Sequence, residues 1–184
     1  MVALISGEGG LLYNINKWLF INMDLTGQIL ISMPSMLDER FHKTVIYMCA
    51  HSEDGSMGII INKQIDQDIY PDLLKQLNID KPLNNNKIFI RYGGPVEAGR
   101  GFVLHTDDVI QKGSLPINKG IVLTSTAEIF DDIAKGKGPK VSILAIGYAG
   151  WEAGQLEHEI KQNSWMTLSV ESSFVFNEQV TNKW

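Results

Sequence analysis

The chain alternates short apolar runs with glycine-rich or charged turns. Two β-branched runs, Thr44–Ala50 and Met57–Asn62, flank a turn that contains Asp54-Gly55. An Asp-Gly pair between two such runs is a strong signal for a β-hairpin. Because both runs are apolar at nearly every position, we expect this hairpin to lie in the buried centre of a sheet.

Further apolar runs predict strands, and two segments predict helices. The helix at 69–77 follows from apolar residues at helical spacing. The helix at 126–135 follows from a capping box, with Ser125 as N-cap and Glu128 three residues later, and from the inward positions Ala127, Phe130 and Ile133 or Ala134. Residues 106–118 are expected to form a loop. The predicted strands are Gly27–Met33, Lys87–Tyr92, Gly101–His105, Gly120–Thr124, Val141–Ile146 and Ser164–Val170.

One segment, Val141–Trp165, contains the densest group of unusual residues. Its pattern predicts a strand over Val141–Ile146, a glycine-hinged turn over Gly147–Trp151 and then a helix that carries Glu152, Glu157 and Glu159. Strands outnumber helices and occur both as hairpins and as strand–helix–strand pairs. The sequence therefore predicts an α+β fold with a mixed sheet, with residues 1–26 as a partly flexible leader and 27–184 as a single domain.

Composition narrows the range of functions. The 184 residues are 44% hydrophobic and 20% charged, with a net charge of -5. This balance is typical of a globular domain, and its mild acidity argues against broad nucleic-acid binding, which needs a basic face. No stretch approaches the length of a membrane span. With a single cysteine, which cannot form an internal disulfide, the chain is expected to be cytoplasmic.

The chain lacks the common catalytic and nucleotide-binding motifs, so we predict no catalytic residues, no metal site and no cofactor, and favour a non-enzymatic function. Two interpretations stay open for the lone cysteine, Cys49: a small buried core residue or a nucleophile. His51, close to Glu53 and Asp54, is either part of a solvated turn or a metal ligand.

A ligand-binding region is indicated around Gly93-Gly94-Pro95, directly after the strand that bears Arg91. Paired glycines bring backbone N–H groups close to a partner, which is either an anion or another part of the chain. Arg91 and Arg100 would supply positive charge to an anion. His105, at a strand end, is either a structural polar residue or part of a pocket.

Glu159 is the unusual carboxylate of the predicted helix. Helical geometry places it on the same face as the apolar Leu156 and Ile160, where a carboxylate needs a partner such as an arginine. Glu152 and Glu157 have ordinary helical roles, in the first turn and in an ion pair with Lys161. A structural ion pair and a functional carboxylate both remain open for Glu159, with Trp151 as a neighbour in the proposed cleft.

Five blocks in order resemble the YqgE/AlgH family of bacterial proteins, and the resemblance covers residues 27–184. The blocks are GQILISMPSM (27–36), TVIYMCAHSEDGSMGIIINK (44–63), GGPV (93–96), GFVLH (101–105) and GYAGWEAGQLEHEI (147–160), followed by NSW (163–165). Each block alone is weak, whereas the ordered set is specific.

This resemblance implies a cytosolic α+β protein with a mixed, bifurcated sheet that includes a small barrel and is surrounded by helices. It also implies a C-terminal helix and tail longer than the one seen before Trp184, and it provides no established catalytic residues. One branch of the family is named for the regulation of alginate synthesis and is described as a transcriptional regulator.

Two hypotheses follow. The first is a regulatory protein that acts through an unknown protein partner or a small ligand; we do not expect it to bind nucleic acid directly or to associate with a membrane. The second is a protein or enzyme that binds a small anionic ligand of the nucleotide type. Its cleft would include Arg91, Gly93, Gly94, Arg100, His105, Trp151 and Glu159.

Overall fold

A computed structural model of the chain describes residues 24–65, 72, 75, 87–118, 120–177, 179 and 184. Within these residues nine strands form one sheet in the order β6-β7-β5-β8-β3-β2-β1-β9, with β4 attached to β8. All pairs are antiparallel except β4 with β8. The strands are β1 Gln28–Ser32, β2 Val45–Ser52, β3 Gly55–Ile60, β4 Lys87–Tyr92, β5 Val96–His105, β6 Leu115–Asn118, β7 Ile121–Thr124, β8 Val141–Glu152 and β9 Trp165–Ser169.

Three α-helices with defined bounds and one 3-10 turn lie in the described part of the chain, where Asp72 and Lys75 are also helical. The helices are α1 Ala127–Ala134, α2 Gln155–Lys161 and α3 Ser172–Val175, and the 3-10 turn is Glu39–Phe41. The predicted helix at 69–77 falls mainly on residues outside the described part. Residues 1–23 of the predicted leader 1–26 also lie outside the described part. Leu25, which belongs to the same predicted leader, is fully buried.

Strand β8 organises the sheet because it changes partner along its length. Its first half, Val141–Ile146, pairs with β4, and its second half pairs with β3 from Ala149 to Glu152. The sheet therefore forks near Gly147. The backbones approach so closely there that a Cβ atom at Gly93 would overlap the carbonyl oxygen of Gly147, and one at Gly94 would overlap Tyr148. Glycine is required at both positions for this reason.

The sheet curls around one apolar cluster. Strands from both ends of the sheet contribute to it, including Ile29 of β1, Tyr47 of β2, Leu104 of β5 and Ile121 of β7, and Val175 of α3 joins them. Among the described residues β6 and β9 end the main path of strands and β4 is a further edge, so the curl is a half-barrel rather than the small barrel that the resemblance implies. Cys49 belongs to this concave core, and burial raises the pKa of its thiol, as expected for a structural cysteine.

The convex face carries two separate clusters, each covered by one helix. Helix α1 packs there through Ile129, Phe130 and Ile133, and α2 packs through Leu156 and Ile160 beside the second cluster. The α+β class is thus confirmed. The expectation of a sheet surrounded by helices overstates the helical cover, because in the described chain short helices shield only parts of the convex face.

Several local predictions need correction. The segment expected to be a turn, Gly147–Trp151, continues β8, and the loop expected at 106–118 contains β6. The capping box does not form, since the N-cap is Thr126, whose side chain makes no capping hydrogen bond. Ser125 instead accepts a hydrogen bond from the Arg100 guanidinium, at 3.1 Å. The two-stranded hairpin around Asp54-Gly55 is confirmed.

Candidate functional site

Strand β8 enters helix α2 through a tight turn at Ala153-Gly154. Gly154 has φ of 73°, a left-handed conformation that glycine adopts without strain. The Gln155 side chain accepts a hydrogen bond from the Glu152 backbone N–H at 3.0 Å. Glu152 is the last residue of β8, whereas the sequence pattern predicts it in the first turn of the helix.

Glu159 accepts hydrogen bonds from two tryptophans, and we call this group the indole–carboxylate cluster. The Nε1–H groups of Trp151 and Trp165 both donate to its Oε2, at 3.0 and 2.7 Å, and Gln155 Nε2 donates to its Oε1 at 2.9 Å. Indole N–H groups can only donate and a carboxylate accepts, so the donors and acceptors match. The expected arginine partner is replaced by these neutral donors.

Aromatic rings enclose this cluster. Trp151 and Trp165 are 6% and 4% exposed and meet edge to face with centroids 5.9 Å apart, while Phe41 contacts both rings. A carboxylate that holds two buried indole N–H groups prevents the cost of leaving them unpaired. The contacts of Glu159 thus favour a structural role, with β9 and α2 fastened to β8.

A second polar contact fastens α2 to the hairpin. His51 and Ser56 are cross-strand partners on the same face as Trp151. His51 Nδ1 lies 2.7 Å from Ser56 Oγ, and His51 Nε2 lies 3.6 Å from Glu157 Oε1. The His51 side chain is 7% exposed, which rules out its interpretation as part of a solvated turn. Within the described ranges, no three His, Cys, Asp or Glu side chains are placed to hold a metal ion.

The opposite, concave face of the same strands carries an open groove of about 660 Å³. Its floor is the cross-strand row Ala50, Met57 and Gly150. Small residues at two of these positions leave the depression, because a Cβ atom at Gly150 would already lie 3.1 Å from the Tyr148 ring. Val96 lies on the same side of the groove as Tyr148, with which it pairs.

The next row outward is polar. Ser52, Gly55 and Glu152 pair across the strands, and Asp54 and Gln155 complete this end of the groove. Asp54 and Glu152 are exposed, and neither carboxylate has an ion-pair partner among the described residues. Within that part of the chain, no lysine, arginine or histidine lines the groove. Its electrostatic character is therefore negative.

The glycine pair, a candidate anion site in the sequence, is used by the backbone. The Gly93 N–H donates to the Ile146 carbonyl at 2.9 Å, and the Gly93 carbonyl accepts from Ile60 N–H at 2.9 Å. Gly94 packs against Tyr148 as described for the fork. These contacts match the second interpretation of the pair, a close approach of another part of the chain.

The two candidate arginines lie in different surroundings. Arg91 is buried on β4, where its guanidinium lies over the Phe89 ring at 5.2 Å and donates to the Ile90 carbonyl at 3.1 Å. Arg100 pairs with Glu97 at 2.9 Å on the surface. These contacts involve partners other than Trp151 and Glu159, so a shared role of the arginines in one cleft stays a prediction.

His105 is fully buried and has two hydrogen-bond partners. Its Nδ1 lies 2.8 Å from the Thr106 carbonyl oxygen, and its Nε2 lies 2.9 Å from Thr124 Oγ1. Because a carbonyl only accepts, Nδ1 carries the proton and Nε2 accepts from the threonine hydroxyl. Burial lowers the pKa of His105. The ring is therefore held neutral in the interior, which favours the structural interpretation.

Of the candidate residues, the structure brings together Trp151 and Glu159; Trp151 also borders the groove, although its ring belongs to the cluster on the convex face. The groove residues Tyr148, Gly150 and Glu152 are not predicted as a set by the sequence pattern. They alternate along β8, so reading Gly147–Trp151 as strand would have placed them on one face. The glycines suggest a turn and hide this alternation.

No helix in the described part of the chain is long and apolar enough to cross a membrane. The profile of the AlgH-like family matches residues 29–184. A UPF0301 protein of Beijerinckia indica is 48% identical over 168 residues, which cover 87% of this chain and 82% of that protein. A UPF0301 protein of Rhodospirillum rubrum is 45% identical over 160 residues, covering 87% and 83%.

Two solved structures are similar. The solution structure of the AlgH protein from Pseudomonas aeruginosa has a TM-score of 0.73 at 37% identity, covering 85% of this chain and 82% of that one. A crystal structure of a Corynebacterium diphtheriae protein has a TM-score of 0.64 at 21% identity, covering 88% and 81%. The second similarity concerns the fold alone.

Proposed function

This chain belongs to the AlgH-like family, and on that premise we propose that it is a regulatory protein that acts by binding a protein partner or a small polar ligand rather than by reading DNA. The observation that supports this proposal is the open groove between the β2–β3 hairpin, β8 and the start of α2. It combines an apolar floor with polar groups at one end, which is the usual composition of a ligand site.

The charge of the groove argues against a nucleic-acid ligand. The charged residues that line it in the described chain are Asp54 and Glu152, both acidic. The phosphates of DNA and RNA are bound chiefly by lysine and arginine, and a net charge of -5 adds a general repulsion. A transcriptional role would accordingly be indirect, through a partner that itself contacts DNA or the transcription machinery.

The anion-binding alternative would need the N–H groups of Gly93 and Arg100 as donors to the anion, and both have other partners within the protein. The Gly93 N–H donates to Ile146, and Arg100 pairs with Glu97. A single binding screen covers both possibilities, because nucleotides and phosphorylated metabolites can be included beside peptides and neutral metabolites.

Filling the groove tests the proposal. Replacing Gly150 by leucine places a side chain on the floor beside Tyr148. We expect ligands found by thermal shift to raise the unfolding midpoint of the wild type but not of Gly150→Leu. A Cβ atom at Gly99 would have no neighbouring atom within 4 Å, so Gly99→Leu is the matched control and should respond like the wild type.

Two results would contradict the proposal. One is a set of ligands that stabilise Gly150→Leu as well as they stabilise the wild type. The other is tight, sequence-specific DNA binding in electrophoretic shift assays at two salt concentrations, with a steep loss of affinity at the higher one.

A further inference from the structure

The groove differs from an ordinary acidic surface because its carboxylates stand at the end of an apolar slot. The small residues Gly150 and Ala50 leave the floor of the slot open, and the Tyr148 ring forms its wall. That ring packs edge to face on Phe102 with centroids 5.5 Å apart, which holds it in place. A slender chain that ends in a polar group fits such a slot better than a bulky apolar side chain does.

Strand geometry gives the slot a length. Tyr148, Gly150 and Glu152 point to the same face of β8. Positions two residues apart in a strand are separated by roughly 6.7 Å. A group seated above Gly150 therefore contacts the Tyr148 ring, which lies 3.1 Å from where a Cβ atom of residue 150 would be, and has Glu152 about one side-chain length away on the other side.

The charges of the slot indicate which polar group should stand at the end of the bound chain. Glu152 and Asp54 are exposed without ion-pair partners among the described residues, where no cation lines the slot. An arginine side chain complements all of these features. Its alkyl stem covers apolar surface, its planar guanidinium stacks on aromatic rings, and its fork of N–H donors matches carboxylates.

We propose that the groove binds an arginine side chain presented by an extended segment of a protein partner, with the guanidinium between the Tyr148 ring and the carboxylates of Glu152 and Asp54. This inference rests on the proposed function, since it assigns the chemical class of the partner to the same groove. Lysine is expected to bind more weakly, because its ammonium is a point charge that neither stacks nor forms a fork.

The probe is a fluorescein-labelled peptide that alternates arginine with serine, and its control carries citrulline, the neutral isostere, at each arginine position. We expect fluorescence anisotropy to show binding of the arginine peptide and at least a roughly tenfold weaker interaction with the citrulline peptide. Glu152→Gln should weaken arginine-peptide binding by about three- to fivefold, the typical effect of one exposed ion pair.

Matched variants separate a local effect from a general one. Glu128→Gln removes the same charge from the exposed first turn of α1, away from the groove, and should leave the affinity unchanged. Gly150→Leu should abolish binding, whereas Gly99→Leu should not. Circular dichroism and unfolding midpoints confirm that each variant is folded.

The outcomes distinguish this inference from the proposed function. Equal binding of the arginine and citrulline peptides, blocked by Gly150→Leu, would overturn the arginine assignment but leave a peptide-binding groove. Equal weakening by Glu128→Gln and Glu152→Gln would reduce the effect to net charge and also overturn it. The absence of arginine-peptide binding would overturn it as well, with the wider ligand screen still deciding the proposed function.

Discussion

The two faces of one strand use their carboxylates in opposite ways. On the convex face of β8, Trp151 donates to Glu159, whose oxygens also hold Trp165 and Gln155. On the concave face the next residue, Glu152, is exposed and has no ion-pair partner in the described chain. A carboxylate with all its partners supplied by the fold contributes to stability, whereas one without partners is available to a ligand.

The unusual sequence of this region therefore encodes two features. The tryptophans and Glu159 join three elements of the convex face, while the glycines leave room on the concave face. Because both features share β8, disturbing that strand should affect both. Disturbing either carboxylate should affect mainly one, although Gln155 contacts Glu159 and also lines the groove. Substitutions at the fork, in the interior beside β8 and at each carboxylate test this separation.

A substitution at the fork of the sheet should destabilise the convex and the concave face of β8 together. A Cβ atom at Gly94 would overlap the Tyr148 backbone, and Gly94 has φ of 151°, which side chains rarely adopt. We expect Gly94→Ala to reduce the free energy of unfolding by about 3 kcal/mol or more, from overpacking and backbone strain together. Urea denaturation measures the loss.

The control for the fork is Gly99→Ala, since that glycine has open space around it. We expect a change within about 0.5 kcal/mol there. If Gly94→Ala were as stable as the wild type, β4 and β8 could separate at the fork without cost, and the two faces would not depend on one rigid strand.

A further test concerns His105, an interior polar residue of β5 whose cross-strand partner on β8 is Ser142. Burial lowers its pKa in the folded protein, so below the ordinary value of 6.5 the unfolded chain binds a proton that the folded chain does not. Stability should therefore fall as the pH drops from 6.5 toward the lowered pKa, by at most about 1.4 kcal/mol per pH unit.

Urea unfolding at a series of pH values measures this slope in the wild type and in His105→Gln. The variant is expected to be less stable at neutral pH, because it disturbs the hydrogen bonds to Thr106 and Thr124. Its slope below pH 6.5 should nevertheless be shallower. An identical slope in both proteins would show that His105 is not the group that titrates.

Much of the fold could be predicted from the pattern of apolar runs. The hairpin around Asp54-Gly55 and the α+β class follow from β-branched runs and turn residues, which act locally. The curl and the fork could not be derived from that pattern, because they depend on pairing between distant strands. The resemblance to the family supplied the bifurcated sheet, and it also led to the overstated helical cover.

The candidate site was predicted only in part, for a physical reason. The sequence pattern singles out Trp151 and Glu159, and the two residues contact each other, yet helical spacing cannot show that tryptophans rather than an arginine face the carboxylate. The glycines of Gly147–Trp151 are the second reason. In the structure they permit close backbone contacts and leave an empty groove within a continuous strand, whereas in the sequence such glycines are typical of a turn.

We expect Glu159 to serve the fold and Glu152 to serve a ligand, and one matched pair of substitutions tests this division. Unfolding free energy and arginine-peptide affinity are measured for Glu159→Gln and Glu152→Gln. We expect Glu159→Gln to lose about 2–3 kcal/mol of stability, because several charge-assisted hydrogen bonds become neutral ones. Glu152→Gln should change stability by less than about 0.5 kcal/mol and weaken peptide binding. The reverse pattern, or equal effects on both quantities, would contradict this division of roles.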